Sequence, residues 1–156
     1  MEQAANLNAK ATSVDFALAR SDFLDAFSAV ESSICRILER AGIGCKSNEP
    51  FGNRLLAFGQ IEKADLLAPS RIGQRNNLVR GVGKILPIRA DVVHSAMRVD
   101  RLGEEAVAIF VNAQVAHDPD APMRVLSLDR FRKHTSKLED YAKQLEVLNK
   151  PTSPAS

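Results

Sequence analysis

Residues 13–41 read SVDFALARSDFLDAFSAVESSICRILERA, and this stretch decides the class of fold. Its apolar residues recur at steps of seven, four, three, four, three and four: Phe16, Phe23, Phe27, Val30, Ile34, Ile37 and Ala41. Steps of three and four place side chains on one face of an α-helix. Arg20 stands at the one position that breaks the series, and Gly42 follows as a stop signal. The stretch predicts a long helix, capped by Ser13, that packs one face into a core.

Three further helical stretches are predicted from the same periodicity, over about 51–64, 69–99 and 127–148. Pro87 falls inside the second of these. Because proline lacks an amide N–H and its ring clashes with the preceding turn, we expect it to kink or restart that helix. Ser127 is the predicted cap of the last helix, in which His134 is expected to be an exposed residue.

One β-hairpin is predicted before the last helix. Residues 107–111 are rich in β-branched and aromatic side chains, and residues 123–126 return after a turn that contains Pro119. The predicted fold class is mostly α, a helical bundle with one β-hairpin at about 106–127 before the C-terminal helix. The predicted organisation is a flexible N-terminus, one domain and a disordered tail, over residues 1–12, 13–149 and 150–156.

The composition indicates a globular protein. Of the 156 residues, 45% are hydrophobic and 26% are charged, which is ordinary for a packed domain. Aromatic residues make up 5% and tryptophan is absent, which argues against binding of nucleic acid by base stacking on exposed rings. The sequence has neither the apolar run of a signal peptide nor the roughly 20 apolar residues of a membrane span. We therefore expect a cytoplasmic protein with no membrane partner.

Basic residues are concentrated between Arg71 and Arg101. This segment contains seven of them against two acidic residues, a net charge of +5, whereas the rest of the chain has 14 basic and 17 acidic residues, a net charge of −3. A local excess of this kind attracts phosphate or RNA. The alternative is a solvated helix face whose charges pair with acids elsewhere in the fold.

An arginine and a histidine separated by four residues stand in the sequence Arg89-Ala90-Asp91-Val92-Val93-His94. On an apolar helix this R-x4-H pattern resembles the signature of the HEPN superfamily of small helical proteins. The resemblance in helix layout covers about residues 14–148, and the motif itself covers six. It implies metal-independent RNA cleavage at the interface of a homodimer, as in some defence and toxin systems. An antitoxin or another protein partner would accompany such a toxin.

The side chains of the motif suit that chemistry. His94 is the candidate general base for a ribose 2′-hydroxyl, because imidazole titrates near neutral pH. Arg89 is the candidate clamp for the scissile phosphate, and Asp91 is expected to orient the ring of His94. Side chains five positions apart on a regular helix point about 140° away from each other around the helix axis. Arg89 and His94 therefore converge only if the helix is irregular or if two protomers share a cleft. Further candidates for phosphate binding are Arg75, Arg80, Lys84 and Arg98.

Three alternatives to this function remain open. His94 is explained as a structural histidine that caps a polar patch on a packed helix, or as part of a site that binds RNA or another anion without cleavage. The whole chain is explained as a non-catalytic helical module that dimerises or holds a protein partner through its apolar faces.

Neither a metal nor a cofactor is predicted. The His117-Asp118-Pro119-Asp120 stretch is interpreted as a polar loop, because no further ligands follow it at fixed spacing. The two cysteines make a weak disulfide framework for a chain of this length, and Cys35 is expected to be a small core residue.

Overall fold

The computed structural model describes residues 10–62, 67–112, 120 and 122–150. Outside these ranges lie residues 1–9 of the predicted flexible N-terminus (1–12), most of the hairpin loop, and residues 151–156 of the predicted tail (150–156). The chain is mostly helical, as expected. Its elements are α1 (Ser13–Arg40), α2 (Phe51–Gly59), α3 (Pro69–His94), β1 (Ser95–Leu102), β2 (Glu105–Asn112), β3 (Met123–Ser127) and α4 (Leu128–Asn149). Among the described residues, no helix combines the length and the apolar character needed to cross a membrane.

Helix α1 begins with a capping box, one residue before the predicted cap. Thr12 Oγ1 accepts a hydrogen bond from the Asp15 amide at 3.3 Å, and Asp15 Oδ2 accepts one from the Thr12 amide at 2.7 Å. The cap is therefore Thr12 and not Ser13. The hydrogen bond donated by the Thr12 amide, followed by the one from its hydroxyl, lowers the pKa of the Asp15 carboxyl.

Helix α3 corrects the prediction for residues 87–99. It runs without interruption from Pro69 through Pro87 to His94, and the chain then continues as strand β1. Apolar residues at 88, 92, 96 and 99 fit a helical stripe, but positions 95, 97 and 99 also alternate with exposed residues, as a half-buried strand requires. The pairing of β1 with β2 decides between these two patterns, because it extends over all eight residues of β1 and gives the backbone groups that point towards β2 their hydrogen-bond partners.

The sheet is antiparallel with the strand order β1-β2-β3. The predicted hairpin strands are confirmed as β2 and β3, in which Ile109 pairs with Val125. Strand β1 was not predicted; it joins β2 through a tight turn in which Gly103 has a φ of +64°, a conformation that favours glycine. The prediction of a cap at Ser127 is confirmed, since its Oγ accepts a hydrogen bond from the Arg130 amide.

The chain forms two compact units, and α1, α3 and α4 each contribute residues to both. Unit 1 comprises Met1–Asp25 and Pro87–Lys137. Its core contains a row of aromatic rings in which Phe131 contacts Phe23 and Phe110 edge to face, with centroids 5.9 and 5.8 Å apart. All three side chains are at most 1% exposed. This row packs the start of α1, the middle strand and the start of α4 into one core.

Unit 2 comprises Ala26–Leu86 and Leu138–Ser156. Its buried apolar side chains include Phe27, Ile34, Phe58, Leu78 and Leu145. Helices α3 and α4 approach closely at Gly81, where a Cβ atom would lie 2.4 Å from the hydroxyl oxygen of Tyr141. A glycine within a helix costs roughly 0.5–1 kcal/mol relative to alanine, and here the close approach explains its presence.

The cysteine interpretation is corrected in unit 2. Cys35 in α1 and Cys45 in the α1–α2 connection form a disulfide, and both side chains are half-buried. Cys35 is therefore not a free core thiol. Gly42 and Gly44, with φ values of +73° and +80°, let the connection fold back towards α1.

Candidate anion-binding groove

The two principal residues of the R-x4-H motif lie on the last turns of α3. Arg89 is half-buried, and His94 is the exposed final residue of the helix. Because α3 is continuous, the five-residue spacing turns their side chains about 140° apart. The structure therefore does not bring Arg89 and His94 onto one face of the helix within a single chain.

Asp91 is held by β3. Its Oδ2 accepts a hydrogen bond from Arg124 Nε at 2.6 Å, and the two side chains are only 28% and 30% exposed. Partial burial and charge assistance both strengthen such a pair. The sequence analysis predicted that Asp91 contacts His94, whereas in the structure Asp91 binds Arg124.

Arg75, a predicted phosphate ligand, has an internal role in unit 2. Its side chain is buried, and it donates hydrogen bonds to the Ile61 carbonyl and to Asn76 Oδ1. A buried guanidinium that is committed to a carbonyl in this way stabilises the local fold and does not face a ligand.

The other predicted phosphate ligands are dispersed. Arg80 and Lys84 are exposed residues of α3 in unit 2. Arg98 is exposed on β1 in unit 1, where its guanidinium lies 3.6 Å from a carboxylate oxygen of Asp100. The basic segment is therefore not one surface within either unit.

A groove of about 470 Å³ lies in unit 1 between the end of α3, β3 and the start of α4. We call it the basic groove. Its lining residues are Ile88, Asp91, Pro122, Met123, Arg124, Val125, Leu126, Arg130 and His134. Ile88 and Leu126 are buried residues of this lining, and Asp91, Arg124, Arg130 and His134 supply its polar groups. The volume lies in the range of small-ligand sites.

Positive charge continues beyond the basic groove along α4. A second depression of about 460 Å³ shares Arg130 and His134 with it and adds Lys133, Ser136 and Lys137. Lys133 is paired with Asp129 at 2.7 Å. Among the described residues, no acid forms an ion pair with Arg130 or Lys137. The surface therefore carries a local excess of positive charge, which favours an anionic ligand.

His134 is the titratable group at the centre of this surface. It is half-buried, and not exposed as the sequence suggested. Its Nδ1 is enclosed and has no hydrogen-bond partner among the described residues. Burial is the main cause that lowers the pKa of His134 below its usual 6.5, and the positive charges of Lys137, Arg130 and Arg124 add to it. A lowered pKa favours the uncharged imidazole, so the positive charge of this surface comes from the basic neighbours of His134.

The part of this surface that lies on α4 can be predicted from the sequence. Arg130, Lys133, His134 and Lys137 follow one another at i, i+3, i+4 and i+7, which places them on one face of α4. Arg124 carries no such signal, because only the pairing of β3 with β2 and its contact with Asp91 direct it into the groove.

No group of three or more histidine, cysteine, aspartate or glutamate side chains is arranged to hold a metal ion within the part of the chain that the structure describes. In comparisons with known proteins, no family model, curated protein or solved structure matches this chain.

Proposed function

We propose that the protein binds RNA, with a phosphate of the backbone held in the basic groove. The observation that supports this proposal is that Arg130 and Lys137, which form no ion pair among the described residues, lie with His134 on the surface that continues the groove. Guanidinium groups suit phosphate oxygens because their planar donors contact two oxygens at once.

The test compares two charge reversals on α4 by fluorescence anisotropy with a labelled single-stranded RNA. Arg130→Glu should weaken binding by about tenfold or more and reduce the salt dependence of the affinity, because it removes a phosphate contact and introduces repulsion. Arg132→Glu is the matched control: it changes the net charge equally, and its exposed residue is not among those that line the groove. We expect the control to bind nearly as well as the wild type.

Equal weakening by Arg130→Glu and Arg132→Glu would contradict the groove as the binding site and indicate attraction by net charge alone. No binding by folded wild-type protein would reject RNA as the ligand. That result would favour the second class of function, a non-catalytic helical module for dimerisation or for a protein partner.

A second candidate function is the metal-independent ribonuclease that the HEPN resemblance implies. His94 is exposed at the end of α3, so it is accessible to RNA and to another protomer. Since Arg89 and His94 are about 140° apart on one helix, this proposal requires a homodimer in which one protomer supplies each group. A toxin of this kind would be controlled by a partner protein that covers the site.

The ribonuclease proposal predicts that His94→Ala abolishes RNA cleavage in the presence of EDTA. The wild type should leave 2′,3′-cyclic phosphate ends, because the base activates the neighbouring 2′-hydroxyl. The melting temperature should be unchanged, since the side chain is exposed. Cleavage at equal rates by the wild type and the variant would remove His94 from the mechanism.

A further inference from the structure

The disulfide of unit 2 lies beside a fixed positive charge. Arg54 of α2 directs its Nη1 at both sulfur atoms, 3.4 Å from Cys35 Sγ and 3.8 Å from Cys45 Sγ. The cysteines are ten residues apart in the sequence, and no free cysteine accompanies them. The proposed RNA-binding surface of unit 1 involves neither of them, so the disulfide calls for a separate explanation.

Arg54 is positioned by groups other than the sulfur atoms. Its Nε and Nη2 donate hydrogen bonds to the Glu49 carbonyl at 3.2 and 2.8 Å. Its Nη2 also lies 3.4 Å from Glu31 Oε1, and the guanidinium carbon is 5.9 Å from the centre of the Phe51 ring. The side chains of Arg54 and Glu31 are only 13% and 20% exposed. None of these contacts involves a sulfur atom, so we expect them to hold the cation in place in the reduced protein as well.

A cation at this distance favours a thiolate over a thiol, and partial burial strengthens the attraction because solvent screens it less. The thiolate is the form that leaves when a disulfide is attacked, and a better-stabilised thiolate leaves faster. A structural disulfide needs no such neighbour, whereas a disulfide that undergoes exchange benefits from one.

We propose that Cys35 and Cys45 form a thiol–disulfide exchange site whose substrate is a small dithiol or a dithiol protein. A thiolate of the substrate attacks Cys45 Sγ, the bond to Cys35 breaks, and Cys35 leaves as a thiolate beside Arg54, the closer of the two contacts. The second thiol of the substrate then loses its proton and attacks the mixed disulfide, and Cys45 leaves. Two electrons pass to the protein, and the substrate becomes a disulfide.

The exchange has a consequence for the α1–α2 connection. Cys45 is the residue that ties this connection to the C-terminal part of α1, at Cys35. Reduction removes the covalent tie and leaves the hydrogen bonds from Arg54 to the Glu49 carbonyl to hold the same segment. The reduced connection should therefore open more readily than the oxidised one, although the helices that flank it remain packed.

The experiment measures two quantities on the full chain at neutral pH: the rate at which dithiothreitol reduces the oxidised protein, and the thiolate fraction of the reduced protein from absorbance at 240 nm. Arg54→Gln should slow reduction and lower the thiolate-to-thiol ratio, each on the order of tenfold, the equivalent of one pH unit. Arg54→Lys retains the charge and should restore most of both. Arg36→Gln removes a charge next to Cys35 in sequence, from an exposed side chain paired with Glu146, and should change neither.

A second variant keeps the proposal testable if Arg54→Gln does not fold, as circular dichroism would reveal. Glu31→Gln retains the hydrogen bonds from Arg54 to the Glu49 carbonyl and removes the carboxylate that competes with the thiolate for the charge of Arg54. It should raise the thiolate fraction. Equal reduction rates and thiolate fractions in the wild type and these variants would overturn the proposal. So would a wild-type disulfide that dithiothreitol reduces only after the protein is denatured.

Discussion

Replacing Phe131 by alanine is expected to lower the free energy of unfolding by about 3–5 kcal/mol, the usual cost of truncating a fully buried phenylalanine. The residue is 0% exposed and is the shared member of the aromatic row in unit 1, in contact with Phe23 and Phe110. The change therefore removes two edge-to-face contacts and leaves a cavity between α1, β2 and α4. Chemical denaturation followed by circular dichroism measures the loss.

Leu18→Ala is the control for this prediction. Leu18 also lies in unit 1, but its side chain is 60% exposed, so truncation removes little buried surface. Its effect should stay within about 0.5 kcal/mol, as is usual for surface substitutions. A similar loss of stability in both variants would mean that Phe131 is not a central residue of this core.

Replacing Arg20 by methionine is expected to cost about 2–3 kcal/mol. Arg20 Nη2 donates hydrogen bonds to the carbonyls of Val92, at 2.7 Å, and Ser95, at 3.2 Å, so this side chain of α1 caps the C-terminal end of α3. A cation suits that end of the helix dipole, and hydrogen bonds from charged donors contribute roughly 1.5–3 kcal/mol. The guanidinium also lies 5.9 Å from the centre of the Phe110 ring.

The methionine retains most of the apolar stem of the arginine, so the comparison isolates the guanidinium. Arg20→Lys keeps the charge with fewer donors and should recover part of the loss. Thermal and chemical unfolding of the three proteins would measure the series. Full stability of Arg20→Met would show that burying the guanidinium costs as much as its two hydrogen bonds contribute, as can happen with buried charges.

Arg20 shows how a sequence pattern can indicate the position of a special residue without indicating its role. The break in the apolar series of α1 was visible, because every neighbour at helical spacing is hydrophobic. The partners of Arg20 are backbone carbonyls 72 and 75 residues later in the chain. Backbone carbonyls leave no mark in a sequence, so this contact could not be predicted.

The sequence alone determined the elements whose stability comes from a local repeat. Helices α1 and α4 were predicted from the spacing of their apolar residues, and strand β2 was predicted from its run of β-branched residues. Both rules act over only a few residues. The basic face of α4 could also have been predicted, since Arg130, Lys133, His134 and Lys137 obey the same spacing.

Tertiary structure decided the features that depend on distant partners. Residues 95–99 fit a helix and a strand equally by pattern, and pairing with β2 selected the strand. The disulfide, the contact of Arg75 with Ile61 and the contact of Arg124 with Asp91 join residues 10, 14 and 33 positions apart in the sequence. None of these separations follows from the repeat of a helix or a strand. The physical reason is that a hydrogen bond, an ion pair or a covalent bond forms between whichever groups the packed core brings together, whereas a local pattern reports only which face of an element is buried.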